Sequence, residues 1–349
     1  MKNKIELIRA IRKVGLYNLL KVKKIKKIAG NIIGGFFLTR VISTLLNIDF
    51  FAGFSGNSSI NTHLFCKENN LDEKVLCALC DYLSSLGILK KNKSEYYLTA
   101  KGKFILEMGS GLFNIVYSFE DIFHNLEPIL KKERTAERDI NKFLYFEAKG
   151  TGEAAKLLVF PIIIDIIEKK KFKRIFDIGC GSAAFLIELC KNVSGTIGYG
   201  VDLSRKAVLH GREELIKYNL ENRIKLFEGN IIHDLDSFAE KISDAEIITA
   251  SFVLHELFFE NKEQIINFLV KFRRRFENKC LLVCENIEQS LDELRKDPGL
   301  YSEVQLAHRL VGEQQMTRKD WHTIFIKSGF KKIKERYLSF ARISIFILH

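Results

Sequence analysis

The segment Asp177-Ile178-Gly179-Cys180-Gly181-Ser182-Ala183 ends one apolar run, Arg174-Ile-Phe-Asp-Ile-Gly179, and opens a helical one, Ala183-Ala-Phe-Leu-Ile-Glu-Leu-Cys190. A carboxylate at a strand tip followed by two close glycines builds a tight strand-to-helix turn. The backbone can then approach a ligand, and a helix N-terminus faces it. A nucleotide-like cofactor is the natural occupant. A second run, Thr196-Ile-Gly-Tyr-Gly-Val-Asp202, ends in another acid, twenty-five residues after Asp177. An acid there can accept both hydroxyls of a ribose. It does not separate a dinucleotide from other nucleosides, but the turn does. A dinucleotide fingerprint reads Gly-x-Gly-x-x-Gly, with the helix dipole facing a pyrophosphate. Here the third glycine is missing, and Asp177 would repel a pyrophosphate while suiting a cationic group.

The stretch resembles motif I of the class I S-adenosylmethionine-dependent methyltransferases, and Asp202 resembles their motif II acid. The resemblance implies S-adenosylmethionine as cofactor, its amino group and sulfonium near Asp177, Gly179 and Gly181, and its ribose on Asp202 beside Leu203. It also implies adenine contacts from Glu228-Gly-Asn230, with Asn230 and Ile231 foremost and Asp234 behind. The methionine part would lie beside Ala250-Ser251-Phe252.

Val253-Leu254-His255-Glu256-Leu257 follows directly. His255-Glu256 resembles the His-acid pair of plant-type O-methyltransferases, whose histidine is the general base. A near-neutral imidazole can take a hydroxyl proton as the oxygen attacks a methyl group. Glu285 resembles their supporting acid, and orienting His255 or lying in a solvated loop are both open for it. Leu306-Ala-His308-Arg309 precedes Gly312-Glu-Gln-Gln-Met-Thr-Arg-Lys-Asp-Trp321. This block looks closer to a bacterial subgroup that C-methylates 2-oxo acids. In one branch of that subgroup two histidines hold a metal. The resemblance implies one divalent or ferric ion on His255 and His308, with Glu256 a third ligand or the proton acceptor. C3 of a 2-oxo acid is a poor nucleophile until deprotonated, and a Lewis acid on its oxygens stabilises the enolate. Arg134, Arg138, Arg309 and Arg318 are candidates to clamp a substrate carboxylate. Trp321 is expected in the core or stacked on substrate.

Around these residues the chain divides into 1–110, an N-terminal helical, winged-helix domain; 111–154, a helical linker expected to roof the substrate cavity; and 155–349, the cofactor-binding domain. By its residues alone the first could equally be a DNA-binding helix-turn-helix. Yet Leu83-Ser-Ser-Leu-Gly-Ile-Leu-Lys90 and Tyr96-Tyr-Leu-Thr-Ala-Lys-Gly102 resemble the dimerisation domain of small-molecule methyltransferases, which implies a dimerisation domain and a homodimer. Residues 1–30 form a basic amphipathic arm. Over 60–105, Asn61 or Thr62 opens one helix, Asp72 caps the next, Gly87 ends it, and a hairpin follows. Residues 110–150 are helical and aromatic-rich. From about 155 strands alternate with helices: 174–179, 196–202, 224–229, 245–252, 280–286, 331–338 and 342–348, the last two a hairpin. The fold class is α/β, a Rossmann-like seven-stranded methyltransferase sheet with a mainly α N-terminal domain.

At 349 residues the chain can bury a large core, and no apolar run is expected to reach membrane-spanning length. Seven cysteines sit in apolar segments, consistent with free thiols in a reducing cytoplasm. Cys77-x-x-Cys80 lacks the second pair that a zinc site needs. The formal charge of +12 is largely lysine and speaks to solubility and encounter, not fold. The expected partners are a small-molecule substrate and a second copy of the chain, with no membrane insertion and no nucleic acid. Two rivals stay open: metal-free O-methylation with His255 as base, and a winged-helix regulator that keeps the fold to sense a ligand.

Overall fold

The computed structural model describes residues 11–54, 58–135, 142–256, 261–297, 299–313 and 315–349. They form two compact units, residues 1–109 and 110–349.

The first unit begins with a long helix, α1 (Leu16–Asn47). Its C-terminal turns bury Val41, Ile42 and Leu45, while Ile25, Ile32, Phe36 and other apolar residues of its earlier turns are exposed. By length and composition α1 could cross a membrane. This corrects the expectation that no apolar run reaches that length: Ile28–Asn47 carries a single charge, Arg40. After a 3-10 turn (Phe50–Phe54) and strand β1 (Ser59–Asn61) come helices α2 (Thr62–Asn69) and α3 (Glu73–Ser85). Both starts are capped as the sequence predicts. Asn61 Oδ1 accepts from the Leu64 amide and Asp72 Oδ1 from the Val75 amide, each at 3.1 Å. Gly87, at φ +71°, turns the chain into the hairpin β2 (Leu89–Asn92) and β3 (Glu95–Leu98). The three strands form a sheet of order β1-β3-β2.

Helix α4 (Ala100–Ser118) leads into the second unit, which continues with α5 (Glu120–His124), α6 (Leu126–Leu130), α7 (Leu144–Ala155) and α8 (Val159–Lys169). Helices α4 and α7 cross with their backbones in contact. A Cβ at Gly150 would lie 2.5 Å from the Gly111 carbonyl oxygen, and one at Gly111 equally close to that of Gly150.

The alternating part follows: β4 (Arg174–Ile178), α9 (Ala184–Asn192), β5 (Ile197–Asp202), α10 (Arg205–Lys217), β6 (Ile224–Glu228), α11 (Leu235–Lys241), β7 (Ile247–Ser251), α12 (Lys262–Arg275) and β8 (Cys280–Asn286). After α13 (Leu291–Lys296), α14 (Tyr301–Leu310) and α15 (Arg318–Lys327), the hairpin β9 (Ile333–Leu338) and β10 (Ile343–Leu348) completes a seven-stranded sheet. Its order is β6-β5-β4-β7-β8-β10-β9. Only β10 runs against the others, pairing antiparallel with both β8 and β9.

The central strands are near-continuous apolar runs because helices cover both sheet faces. Alternate residues feed two cores: Phe176, Ile178, Ile248, Leu281 and Val283 on one side, and Ile175, Ile247, Cys280, Leu282 and Cys284 on the other. Trp321 is fully buried in the first core, stacked on Phe325 at 5.6 Å, so it is a core residue. All seven cysteines are free. The carboxyl ends of β4 to β8 form one rim, where an open α/β sheet holds its ligand.

Candidate active site

A cavity of about 400 Å³ opens on this rim. Its floor is the turn after β4. Gly179 (φ +69°) and Gly181 (φ +53°) adopt the left-handed conformation that favours glycine, and a Cβ on Gly179 would lie 2.5 Å from Val253 Cγ2. Asp177 lines the cavity, buried, with Oδ1 accepting from the Thr249 hydroxyl at 2.6 Å. Burial raises its carboxyl from the ordinary 3.8 to about 7; the Thr249 hydrogen bond opposes this and the Asp202 charge adds to it.

Asp202 ties the two strand ends together. One oxygen accepts from the Gly181 amide and the other from the Ser204 amide, both at 2.8 Å. A carboxylate has further lone pairs, so each oxygen can still accept from a ligand hydroxyl. Leu203, Asn230, Ile231, Ser251 and Phe252 complete this part of the lining. Asn230 Oδ1 accepts from the Ile232 amide, and Asp234 stands behind it, accepting from the Asn230 amide at 3.2 Å. Ser251 Oγ is buried with no hydrogen-bond partner among the described residues. An unpaired buried hydroxyl costs stability, so it marks a place where a ligand atom fits. The cavity thus suits a nucleoside bearing a cationic amino acid tail.

Beyond Phe252, at φ +57°, the chain delivers His255, only 3% exposed. Glu285, fully buried on β8, accepts from His255 Nδ1 at 2.6 Å and from the Leu254 amide at 2.9 Å. Of the two settings open to Glu285, the structure places it against the imidazole. Burial pulls the His255 pKa down, but Glu285, then Glu256 and Glu313, outweigh it and raise it to about 9. His255 Nε2 has no hydrogen-bond partner among the described residues. His308, on α14, lies beside it with ring centroids 5.1 Å apart. Its Nδ1 pairs with the Val304 carbonyl at 2.7 Å, and burial, with the nearby His255 charge, holds it down to about 3. Each ring therefore commits Nδ1 to a fixed partner and keeps Nε2 for the site.

Glu256 and Glu313 join them. One ligand atom from each of His255, Glu256, His308 and Glu313 lies within 4.8 Å of the others. Two histidines and carboxylates around an unpartnered Nε2, each histidine held by an outer hydrogen bond, match a metal-binding donor set.

Glu313, Glu147 and Lys142 were missed by the sequence reading. Lys142 Nζ lies 2.6 Å from Glu147 Oε1, 2.7 and 2.8 Å from the two oxygens of Glu313, and 4.0 Å from Glu256. Burial raises Glu256 to about 8, Glu147 adding and Lys142 opposing. The arginines expected to clamp a carboxylate are engaged elsewhere: Arg309 with Glu288, Arg318 with Glu335 and Arg134 with Asn125. Arg138 lies outside the described residues. Helix α7 lines the cavity with Leu144, Glu147, Ala148, Thr151 and Gly152, whereas Tyr117, Phe143 and Phe146 pack on one another.

A family model described as a methyltransferase domain matches residues 176–281. Among curated proteins, the indolepyruvate C-methyltransferase of Streptomyces griseus is 26% identical over 186 residues, 52% of this chain and 54% of that one. The match spans about half the length of that relative. Among solved structures, human N-acetylserotonin methyltransferase in complex with SAM superposes with a TM-score of 0.67 at 16% identity, covering 93% of this chain and 96% of that chain. PigF with SAH gives 0.65 at 15% identity, covering 93% and 99%. The mitomycin 7-O-methyltransferase MmcR gives 0.61 at 14% identity, covering 95% and 99%. At these identities the structural likenesses speak to the fold.

Proposed function

We propose that this chain, which carries a class I S-adenosylmethionine-dependent methyltransferase domain, methylates C3 of a small 2-oxo acid at a metal-assisted site. The convergence of His255, His308, Glu256 and Glu313 supports this reading. The C-methyltransferase named among the curated relatives, whose printed name carries a 2-oxo acid, points the same way.

When bound, S-adenosylmethionine supplies an electrophilic methyl group, and a divalent or ferric ion supplies a Lewis acid. The residues do the rest. Asp177 receives the cofactor's amino group, Asp202 the ribose hydroxyls, and Asn230 and Ile231 flank the base. Ser251 and Phe252 border the methionine part. His255 and His308 would hold the ion through Nε2, with Glu313 completing the set. Glu285 and the Val304 carbonyl fix the two rings, as outer-shell partners do in metal sites. Glu256, whose carboxylate lies 3.9 Å from His255 Nε2, is placed to accept the proton leaving C3. The buried walls exclude water and align the acceptor carbon with the methyl group.

A second reading, metal-free O-methylation, draws on the His255–Glu285 pair and on the O-methyltransferase among the structural neighbours. Both readings need a neutral His255 with Nε2 free, against acids that favour the protonated ring.

Elemental analysis of tag-free protein, beside His308→Ala, tests the choice. Near one equivalent of metal in the wild type, lost in the variant together with C3 methylation of 2-oxo acids, is the expected result. A metal-free wild type whose His308→Ala variant still methylates hydroxylated acceptors would establish the second reading.

A further inference from the structure

We propose that Lys142 is an internal counter-cation of this site, tethered among its carboxylates so that it limits how tightly a divalent ion is held. The inference rests on the metal-assisted reading above.

An ammonium has three N–H donors. Those of Lys142 are matched by three short contacts: both oxygens of Glu313 at 2.7 and 2.8 Å and one of Glu147 at 2.6 Å. All three side chains are nearly buried, at 11%, 6% and 9% exposure for Lys142, Glu313 and Glu147. The stem carries Nζ over the Phe119 ring at 5.2 Å. A buried charge held this way is fixed by its partners.

Glu313 also belongs to the group around the two histidines. It therefore serves two cations: the ammonium already occupies both its oxygens, and an incoming ion must share or displace it. The two positive charges repel within a poorly solvated site. The consequence is a weakened, exchangeable metal site. Lys142 acts here through Glu313 and is a positioning residue.

The test is a cobalt(II) titration of the full-length protein, read by visible absorption and by competition with a chelating dye. The samples are wild type, Lys142→Gln and Lys142→Arg, with His308→Ala added to each. Gln keeps hydrogen-bonding capacity toward Glu147 and Glu313 but removes the charge, whereas Arg retains it. The expected result is at least tenfold tighter binding in Lys142→Gln, wild-type-like binding in Lys142→Arg, and loss of both with His308→Ala. If Lys142→Gln fails to fold by circular dichroism, Lys142→Met, which keeps the stem over Phe119, takes its place. Equal or weaker binding in a folded charge-removed variant overturns the inference while leaving the metal site intact. No cobalt bound by any variant, wild type included, overturns the metal-assisted reading and this inference with it.

Discussion

Glu285 holds two consecutive parts of the chain with one carboxylate: His255 Nδ1 at 2.6 Å and the Leu254 amide at 2.9 Å. It thereby fixes the imidazole and the backbone that delivers it. Glu285→Gln keeps the shape but lowers the basicity of the ring. Metal affinity or turnover should fall about 10–100-fold, and imidazole nitrogen shifts in NMR spectra should move. An unchanged tautomer and unchanged activity would show that Glu285 only packs.

Gly179 cannot carry a side chain. Its φ of +69° disfavours an L-residue, and its Cβ would meet Val253. Gly179→Ala should cost about 1–3 kcal/mol of stability. It should also weaken S-adenosylhomocysteine binding at least tenfold by calorimetry. Wild-type affinity would mean that the turn can shift without consequence.

Asp177 sets a pH dependence. Its folded-state pKa is raised to about 7 from 3.8, so between about pH 4 and pH 7 the folded chain keeps a proton that the unfolded chain has lost. The cofactor-free protein therefore loses stability through this group as pH rises across that window, by up to about 1.4 kcal/mol per unit. Asp177→Asn should melt higher than wild type at about pH 8, with the difference vanishing near pH 4. Cofactor affinity should rise with pH through about 7 in the wild type and stay flat in the variant. Parallel melting profiles would refute the assignment.

The parts of this molecule governed by local rules were legible in its sequence. The alternation of strands and helices marked all seven strands of the large sheet, with apolar runs in the central ones and a weaker, charged pattern in β9. Asn61 and Asp72 stand at the helix starts their side chains cap, and the Asp177 and Asp202 strand ends fall on one rim because parallel βα units always bring them there. What could not be read was the acid cluster. Lys142 and Glu313 are 171 residues apart and share no spacing pattern. Lys142 sits in a stretch whose signals were its aromatic residues and the arginines Arg134 and Arg138, not its lysine. Glu313 carried one signal, its place five residues after His308: a carboxylate next to a suspected ligand is itself a candidate ligand. The arginines failed as clamps because long surface cations find nearby acids, as Arg318 does with Glu335.

The contact between Gly111 and Gly150 bears on anyone who would remodel the pocket. Two absent side chains set how close α4 comes to α7, the helix that presents Glu147, Ala148 and Thr151 to the cavity. Changes at Ala148 or Thr151 trade volume locally, one face at a time. A substitution at either glycine instead displaces the whole helix and Glu147 with it. Libraries meant to reshape this wall should randomise the former and leave the glycines untouched, since the tolerance of this wall for new shapes is borrowed from positions that tolerate none.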